Sequence, residues 1–128
     1  MRLYGYWRSS CSWVVRACLN HKGIAFEHAP VHLKDGAQHA AAHTAINLLA
    51  QVPVLQWREG EQTRRLSQSM AILEYLEERF PEAPLLPADP ERRSRARELS
   101  LLVNAGIQPL QNLYTLQRVN ALEQDGRA

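Results

Sequence analysis

The sequence has only two cysteines among its 128 residues and no Cys-x-x-Cys pair. Cys11 and Cys18 lie on one predicted helix, where their spacing separates them by about 10 Å of rise, beyond the reach of a disulfide. A disulfide-rich scaffold and the two-thiol redox chemistry of thioredoxin are therefore excluded. Two free thiols are typical of a reducing compartment.

Long apolar runs and a strong charge of either sign are also missing. No apolar run approaches the ~18 residues of a membrane span, and residues 1–4 do not open a signal peptide, so we expect a cytoplasmic protein without a membrane partner. The net charge of +2 is too small to indicate a nucleic-acid partner. With 45% hydrophobic and 22% charged residues, the chain has the composition of a folded globular domain.

Small polar side chains stand where a short apolar strand, residues 2–6, passes into a predicted helix that ends at residues 20–23. A helix N-terminus presents unpaired backbone N–H groups and the positive end of the helix dipole, which favour an anion or a thiolate. Ser9, Ser10 and Cys11 add donors at this point. Both catalysis and plain N-capping by a serine fit the pattern.

Around these residues the sequence is Tyr6-Trp7-Arg8-Ser9-Ser10-Cys11-Ser12-Trp13, and Arg16 follows three positions later. This segment resembles the active-site signature of the zeta-class glutathione transferases, the family that includes maleylacetoacetate isomerase. Val14 stands where the family usually has arginine, which alters one contact on the glutathione side. The Ser-Ser-Cys centre of the signature is intact.

The next segment is predicted to contain a second strand over residues 26–31, at a sheet edge because Pro30 cannot donate to a central ladder. Residues 37–45 are interpreted as a weak helix or an irregular stretch. His39 and His43 have the i, i+4 spacing of helical metal ligands. Since neither a glutamate between them nor a third ligand is in sight, we expect solvated surface histidines and no metal site.

The Val52-Pro53 step opens an apolar run. A proline at the start of a buried strand needs a reason, and a cis peptide bond that turns the Val52 backbone outward is one. An extended backbone there would pair with a peptide ligand like an added strand. A plain strand-entry proline is the alternative. In thioredoxin-like folds a cis-Pro loop faces the first helix.

A β-hairpin over residues 54–66 is followed by a helix that opens at Ser67-Gln68-Ser69. This second helix N-terminus suits a carboxylate, and capping is again the alternative. The helix has an apolar stripe, Ile72, Leu73, Leu76 and Phe80, and a predicted solvent side, Glu74, Glu77, Glu78 and Arg79. The order strand, helix, strand, weak helix, strand, strand, helix predicts an α/β, thioredoxin-like domain with a mixed sheet and helices on both faces.

Four of the seven prolines fall in residues 81–90, which we interpret as a linker. We expect a thioredoxin-like glutathione-binding domain over 1–82, a Pro-rich linker over 83–90, and over 91–128 the first helix of an all-α glutathione-transferase domain. Asp89 is its predicted N-cap, and Gly106 with Pro109 predicts a kink or close approach. Residues 107–113 bury amides amid leucines, which indicates a ligand or an interface and also matches the zeta-class pattern.

The resemblance implies glutathione as cofactor, a small diacid or other electrophile as substrate, and a homodimer. The thiolate of glutathione would add to the cis double bond of maleylacetoacetate or maleylpyruvate. The adduct would rotate about the resulting single bond, and loss of glutathione would leave the trans isomer. Ser9, Ser10 and Cys11 are the catalytic candidates, and Arg8 would pair with a substrate carboxylate. The glutathione-binding candidates are Ser9, Ser10, Cys11, Gln38, Gln51, Val52, Pro53, Gln68, Ser69, Gln108 and Asn112.

Two alternatives stay open. The family has a full second helical domain, whereas this sequence stops just past the first helix, so the chain would lack most of the electrophile pocket and an arginine there. It would then be a non-catalytic glutathione-binding remnant. A general glutathione-conjugating transferase of the same fold is the other alternative.

Overall fold

The computed structural model describes residues 1–124, and the chain divides into two compact units, Met1–Leu85 and Leu86–Ala128. The first unit is built from the following strands and α-helices: β1 Arg2–Gly5, α1 Ser10–His21, β2 Glu27–Pro30, α2 Ala41–Thr44, β3 Val54–Glu59, β4 Gln62–Ser67 and α3 Ser69–Arg79. Two 3₁₀ turns, Leu33–Asp35 and Ala37–His39, precede α2. The predicted order of elements is confirmed.

The four strands form one mixed sheet in the order β2-β1-β3-β4. β1 pairs in parallel with β2 and antiparallel with β3, and β3 pairs antiparallel with β4. Pro30 therefore lies on an edge strand, as predicted. The two-residue turn between β3 and β4 begins with Gly60 at φ 59°, a backbone conformation that glycine adopts without steric cost.

The hydrophobic core lies between the sheet and helices α1 and α3. Seven buried residues from β1, α1, β3 and α3 form it: Leu3, Val15, Cys18, Leu19, Leu55, Ile72 and Leu76. Side chains alternate along a strand, so Tyr4 points to the other face, where its ring meets that of His43 on α2 at 6.5 Å between centroids. Helices thus cover both faces, and the predicted thioredoxin-like α/β fold is confirmed.

Glu77 does not face solvent, so that prediction is wrong. Its carboxylate lies 2.7 Å from the Lys22 Nζ, and the two side chains are 7% and 0% exposed. The Lys22 ammonium also donates to the carbonyls of Phe80 and Ala83, and the Leu85 N–H donates to the Glu77 carboxylate. Because its charge and lone pairs are satisfied in this way, Glu77 is accommodated on the buried side of α3.

The second unit begins with α4 Pro90–Leu101, whose N-cap Asp89 accepts from the Arg92 N–H at 2.9 Å, as predicted. The expected single helix is interrupted: a π-helical segment Leu102–Ile107 and a 3₁₀ turn Gln108–Gln111 lead into α5 Leu113–Gln124. Pro109 lacks an N–H to continue an α-helical ladder, which explains the break. Residues 125–128 of the predicted helical region lie outside the described residues. No helix within residues 1–124 is long and apolar enough to cross a bilayer.

Candidate functional site

The register of the sheet brings three predicted site segments to one edge. Tyr4, Val54 and Ser67 are successive partners across β1, β3 and β4. Tyr4 stands near the end of β1, Val54 opens β3 and Ser67 closes β4. The loop into α1, the Val-Pro step and the start of α3 therefore meet at the same edge, where open α/β sheets bind ligands.

Ser9 is the N-cap of α1. Its backbone is extended, with φ −74° and ψ 119°, and its Oγ accepts from the Ser12 N–H at 3.2 Å. The capping interpretation is thus confirmed. It does not exclude a second role, because a hydroxyl that accepts through one lone pair retains its own hydrogen as a donor. Ser10 is exposed and Cys11 half-buried in the first turn of the helix.

Two side chains of α1 fix the loop that carries Ser9. The buried Ser12 Oγ accepts from the Tyr6 N–H at 3.3 Å, and the Arg16 guanidinium donates to the carbonyls of Tyr6 and Trp7 at 3.3 and 3.1 Å. Sequence reasoning missed these roles; the only signal was the presence of both residues in the signature.

Burial, and secondarily the Arg16 charge, lowers the pKa of His28 on the neighbouring strand β2.

Gly5, the last residue of β1, allows α1 to approach this strand closely. A Cβ added there would lie 3.1 Å from Ser12 Oγ and 3.2 Å from Ser12 Cβ. Ser12 is fully buried, so it has no room to withdraw. We expect Gly5→Ala to lower the free energy of unfolding by about 1–3 kcal/mol, measured by urea denaturation.

Gly106→Ala is the control for this prediction, since an added Cβ at Gly106 meets no atom of the described residues within 4 Å. An equal effect of the two substitutions would contradict the close approach at Gly5.

The Val52-Pro53 peptide bond is cis, so of the two interpretations of this proline the cis bond is confirmed and the plain strand-entry proline is wrong. Val52 precedes the ladder of β3, which begins at Val54. The carbonyl of Gln51 accepts from two buried side chains, and the Gln51 Oε1 accepts from the Gln68 Nε2 at 3.4 Å. The Val-Pro step is therefore tied directly to the start of α3.

One of the two donors to Gln51 is His43, which corrects a prediction. His43 is only 4% exposed and its Nε2 lies 3.0 Å from the Gln51 carbonyl oxygen, so it is not a solvated surface residue. His39 is exposed as expected. Within the described part of the chain, no group of three or more histidine, cysteine or acidic side chains is placed to hold a metal ion.

Gln68 adopts an unusual backbone conformation at the start of α3. Its φ is 71° and its ψ 115°, and it is the N-cap residue without a side-chain capping bond. A non-glycine residue at such angles is strained by about 1–3 kcal/mol, and residues of this kind cluster at ligand sites. The N-cap position of α3 is thus not occupied by a serine, and the buried Ser69 begins the helix beside it.

The remaining candidates are more scattered. Gln38 is half-buried, and its Oε1 is buried without a hydrogen-bond partner among the residues described. Arg8 is exposed, with its guanidinium 5.6 Å from the centre of the Trp7 ring. Gln108 and Asn112 belong to the second unit, where the Asn112 Oδ1 accepts from the Tyr114 N–H at 3.2 Å.

Residues 107–113 are not the buried segment that their leucines suggested. Ile107 is 50% and Leu110 71% exposed. The 3₁₀ turn at Pro109 breaks the helical period that would have placed these side chains on one face. A role for this segment in a ligand site or an interface stays a prediction.

The two thiols form no disulfide, as predicted, and differ in environment. Cys18 is 3% exposed, and burial raises its pKa, partly offset by the Lys22 charge, while Glu77 adds to the rise. We expect iodoacetamide to modify Cys11 at least about ten-fold faster than Cys18 in the native protein, with both reacting in denaturant. Peptide mass spectrometry measures the two rates; comparable native rates would contradict the burial of Cys18.

Fold and site together define a thioredoxin-like domain whose ligand edge is formed by two helix N-termini and a cis-Pro loop. A family model described as the N-terminal domain of glutathione S-transferase matches residues 1–78. The chain belongs to the glutathione S-transferase family.

Its relatives agree with the zeta-class resemblance. Maleylacetoacetate isomerase of Rattus norvegicus is 49% identical over 119 residues, covering 91% of this chain and 53% of the rat protein. A zeta-class glutathione S-transferase of Euphorbia esula is 45% identical over 116 residues, covering 91% and 50%. The chain spans about half the length of the curated relatives it matches.

A solved structure extends this likeness to the fold. Maleylacetoacetate isomerase from Anaeromyxobacter dehalogenans 2CP-1, with GSH bound in its active site, is 51% identical and superposes with a TM-score of 0.84, covering 94% of this chain and 56% of that one.

Proposed function

We propose that the first unit binds glutathione, and that the protein uses it as cofactor in the cis–trans isomerisation of a maleylacetoacetate- or maleylpyruvate-type diacid. The observation that carries the proposal is the register Tyr4, Val54, Ser67, which gathers both helix N-termini and the Val-Pro step at one sheet edge. The related isomerase with GSH in its active site supports the same ligand.

The donor set of this edge suits a tripeptide with two carboxylates and a thiol. The backbone of Val52, outside the strand ladder, would pair with the peptide as an added strand does. Gln51 and Pro53 hold Val52 in place on either side. Gln68, Ser69 and the N-terminus of α3 would hold the γ-glutamyl carboxylate. Gln38 is a further candidate, because its buried Oε1 would find a donor in the tripeptide.

The N-terminus of α1 would hold the sulfur. Glutathione supplies a thiolate nucleophile for addition to the activated double bond. Ionising a thiol at neutral pH requires about 2 kcal/mol of preferential stabilisation of the thiolate. The helix dipole contributes about 0.3–1 kcal/mol and a hydrogen bond to a charged group about 1.5–3 kcal/mol. A hydroxyl donor is therefore needed, and we assign this role to Ser9, with Ser10 and Cys11 as further donors or positioning groups.

Other parts of the proposal concern the substrate and the whole protein. Arg8, exposed beside Ser9, would pair with a substrate carboxylate. The domain limits 1–82, 83–90 and 91–128 are part of the proposal, and Gln108 and Asn112, in the second unit, stay glutathione-binding candidates. We further propose a two-fold homodimer, which the resemblance to the glutathione transferases implies. A cytoplasmic location is proposed because both cysteines are free, as a reducing compartment allows.

Calorimetric titration tests the cofactor assignment. Glutathione is expected to bind at one site per chain, and S-methylglutathione, which has no thiol, is expected to bind at the same site with weaker affinity. Absence of heat and of competition between the two would reject the assignment. Conversion of maleylpyruvate with and without glutathione then tests the reaction; conversion independent of glutathione would contradict it.

A further inference from the structure

His43, the buried histidine of the i, i+4 pair, makes a hydrogen bond that suggests a role other than metal binding. His43 at the end of α2 and Asn47, just beyond it, each lie 3.0 Å from the carbonyl oxygen of Gln51, through Nε2 and Nδ2 respectively. Both side chains are buried, at 4% and 9% exposure. Two buried donors thus converge on one carbonyl, the one immediately before Val52.

Asn47 uses both ends of its amide. Its Oδ1 accepts from the Leu49 N–H at 3.2 Å, while its Nδ2 donates to Gln51. The Ala50 N–H donates to the Asn47 carbonyl at 3.0 Å, and Ala50 has a φ of 52°. Asn47 therefore closes a tight loop over residues 47–51 and fixes it from inside.

The Gln51 carbonyl and the Val52 N–H belong to the same peptide plane. In a trans peptide these two bonds point in opposite directions. Because the donors to the carbonyl are buried side chains, the carbonyl points into the protein and the Val52 N–H points out of it.

We propose that His43 and Asn47 are positioning residues: together they orient the Gln51–Val52 peptide plane so that the Val52 N–H is presented to the peptide ligand. The proposal rests on glutathione binding, the function proposed above. Neither residue touches the ligand. Their contribution is preorganisation, since the Val52 donor does not have to be reoriented when the ligand binds.

The hydrogen bond also assigns the histidine tautomer. Because Nε2 donates to a carbonyl, the hydrogen of neutral His43 is on Nε2, and Nδ1 is the acceptor nitrogen. Nδ1 is buried and has no hydrogen-bond partner among residues 1–124. Nitrogen-15 NMR of the ring therefore should show the Nε2–H tautomer in the free protein.

The experiment uses His43→Leu, His43→Gln and Asn47→Asp in the full chain. Leucine removes the donor, whereas the glutamine Nε2 restores one near the same position. Aspartate keeps the acceptor for the Leu49 N–H, but it replaces the Nδ2 group that donates to the Gln51 carbonyl with an oxygen that can only accept. His39→Leu, at the exposed histidine of the same pattern, is the control.

We expect His43→Leu and Asn47→Asp each to weaken glutathione binding about five- to ten-fold in calorimetry and to shift the Val52 amide NMR signal before any ligand is added. His43→Gln is expected to recover most of both effects, and His39→Leu to change neither. Thermal unfolding of each variant verifies that the folded protein is being titrated.

The outcomes separate this proposal from the function on which it depends. If the unsubstituted protein fails to bind glutathione, the proposed function fails, and the Val52 signal in the free variants still decides the positioning role. If the unsubstituted protein binds and His43→Leu binds equally well with an unchanged Val52 signal, the positioning role is overturned. If His43→Leu does not fold, the same two measurements on Asn47→Asp, glutathione affinity and the Val52 amide signal, decide the positioning role.

Discussion

Replacing Lys22 with methionine is expected to lower the free energy of unfolding by about 3–5 kcal/mol. The substitution keeps most of the side-chain volume but leaves the Glu77 carboxylate, which is 7% exposed, without its cation. It also removes the donor to the carbonyls of Phe80 and Ala83. Most of the loss is the cost of a buried carboxylate that has lost its ion pair with Lys22, so it does not measure the value of that pair. Urea denaturation followed by circular dichroism measures it.

Two further variants identify the cause. Lys22→Met combined with Glu77→Leu removes both charges and is expected to recover most of the lost stability, because an apolar pair of similar volume replaces the buried ions. Arg64→Met breaks an exposed pair, Arg64–Glu59, and is expected to cost no more than about 1 kcal/mol. A double variant as unstable as Lys22→Met, or an exposed pair worth as much as the buried one, would contradict this explanation.

Ser9→Ala is expected to reduce turnover about 10- to 150-fold while weakening glutathione binding much less, because the lost hydrogen bond acts on the thiolate. The pKa of the bound thiol should rise in this variant, which the ultraviolet absorbance of the thiolate measures directly. Since Ser9 also caps α1, the substitution is expected to cost about 1 kcal/mol of stability as well.

Ser9→Thr and Ser9→Asp separate the two roles of this residue. Threonine keeps the hydroxyl and an acceptor for the Ser12 N–H, and is expected to retain both stability and thiolate. Aspartate is an equally good N-cap but has only acceptor oxygens when ionised, and is expected to retain stability and lose turnover. Turnover of the aspartate variant equal to that of the unsubstituted protein would exclude Ser9 as the thiolate donor.

The fold was predictable because local patterns and global topology agree. Pro30 on an edge strand, the Asp89 cap of α4 and the cis bond before Pro53 each follow from the chemistry of one residue and its neighbours. N-capping by Ser9 is one of the two interpretations that the sequence allows, the other being catalysis. Elements defined by local propensity can be read from a single sequence.

The parts that were missed depend on contacts between distant residues. Glu77 has the spacing of a solvent-facing residue until Lys22, 55 positions earlier in the chain, is placed beside it. His43 looks like half of a metal pattern until the Gln51 carbonyl is seen next to it. The sequence does not explain the polar side chains of Ser12 and Arg16, because their hydrogen-bond partners are backbone groups of Tyr6 and Trp7 that only the fold brings close. A buried polar group is explained by its partner, and the partner is supplied by the tertiary fold.

The central claim is that one ligand engages the edge formed by α1, the Val-Pro step and α3. Titration of the nitrogen-15-labelled protein with glutathione, followed by amide NMR, tests it most directly. The amide signals of Ser10, Val52 and Ser69 are expected to shift together with a single dissociation constant, while that of Gly60 in the distal hairpin turn stays in place. Shifts that leave these three amides unmoved, or that follow different dissociation constants, would contradict the account.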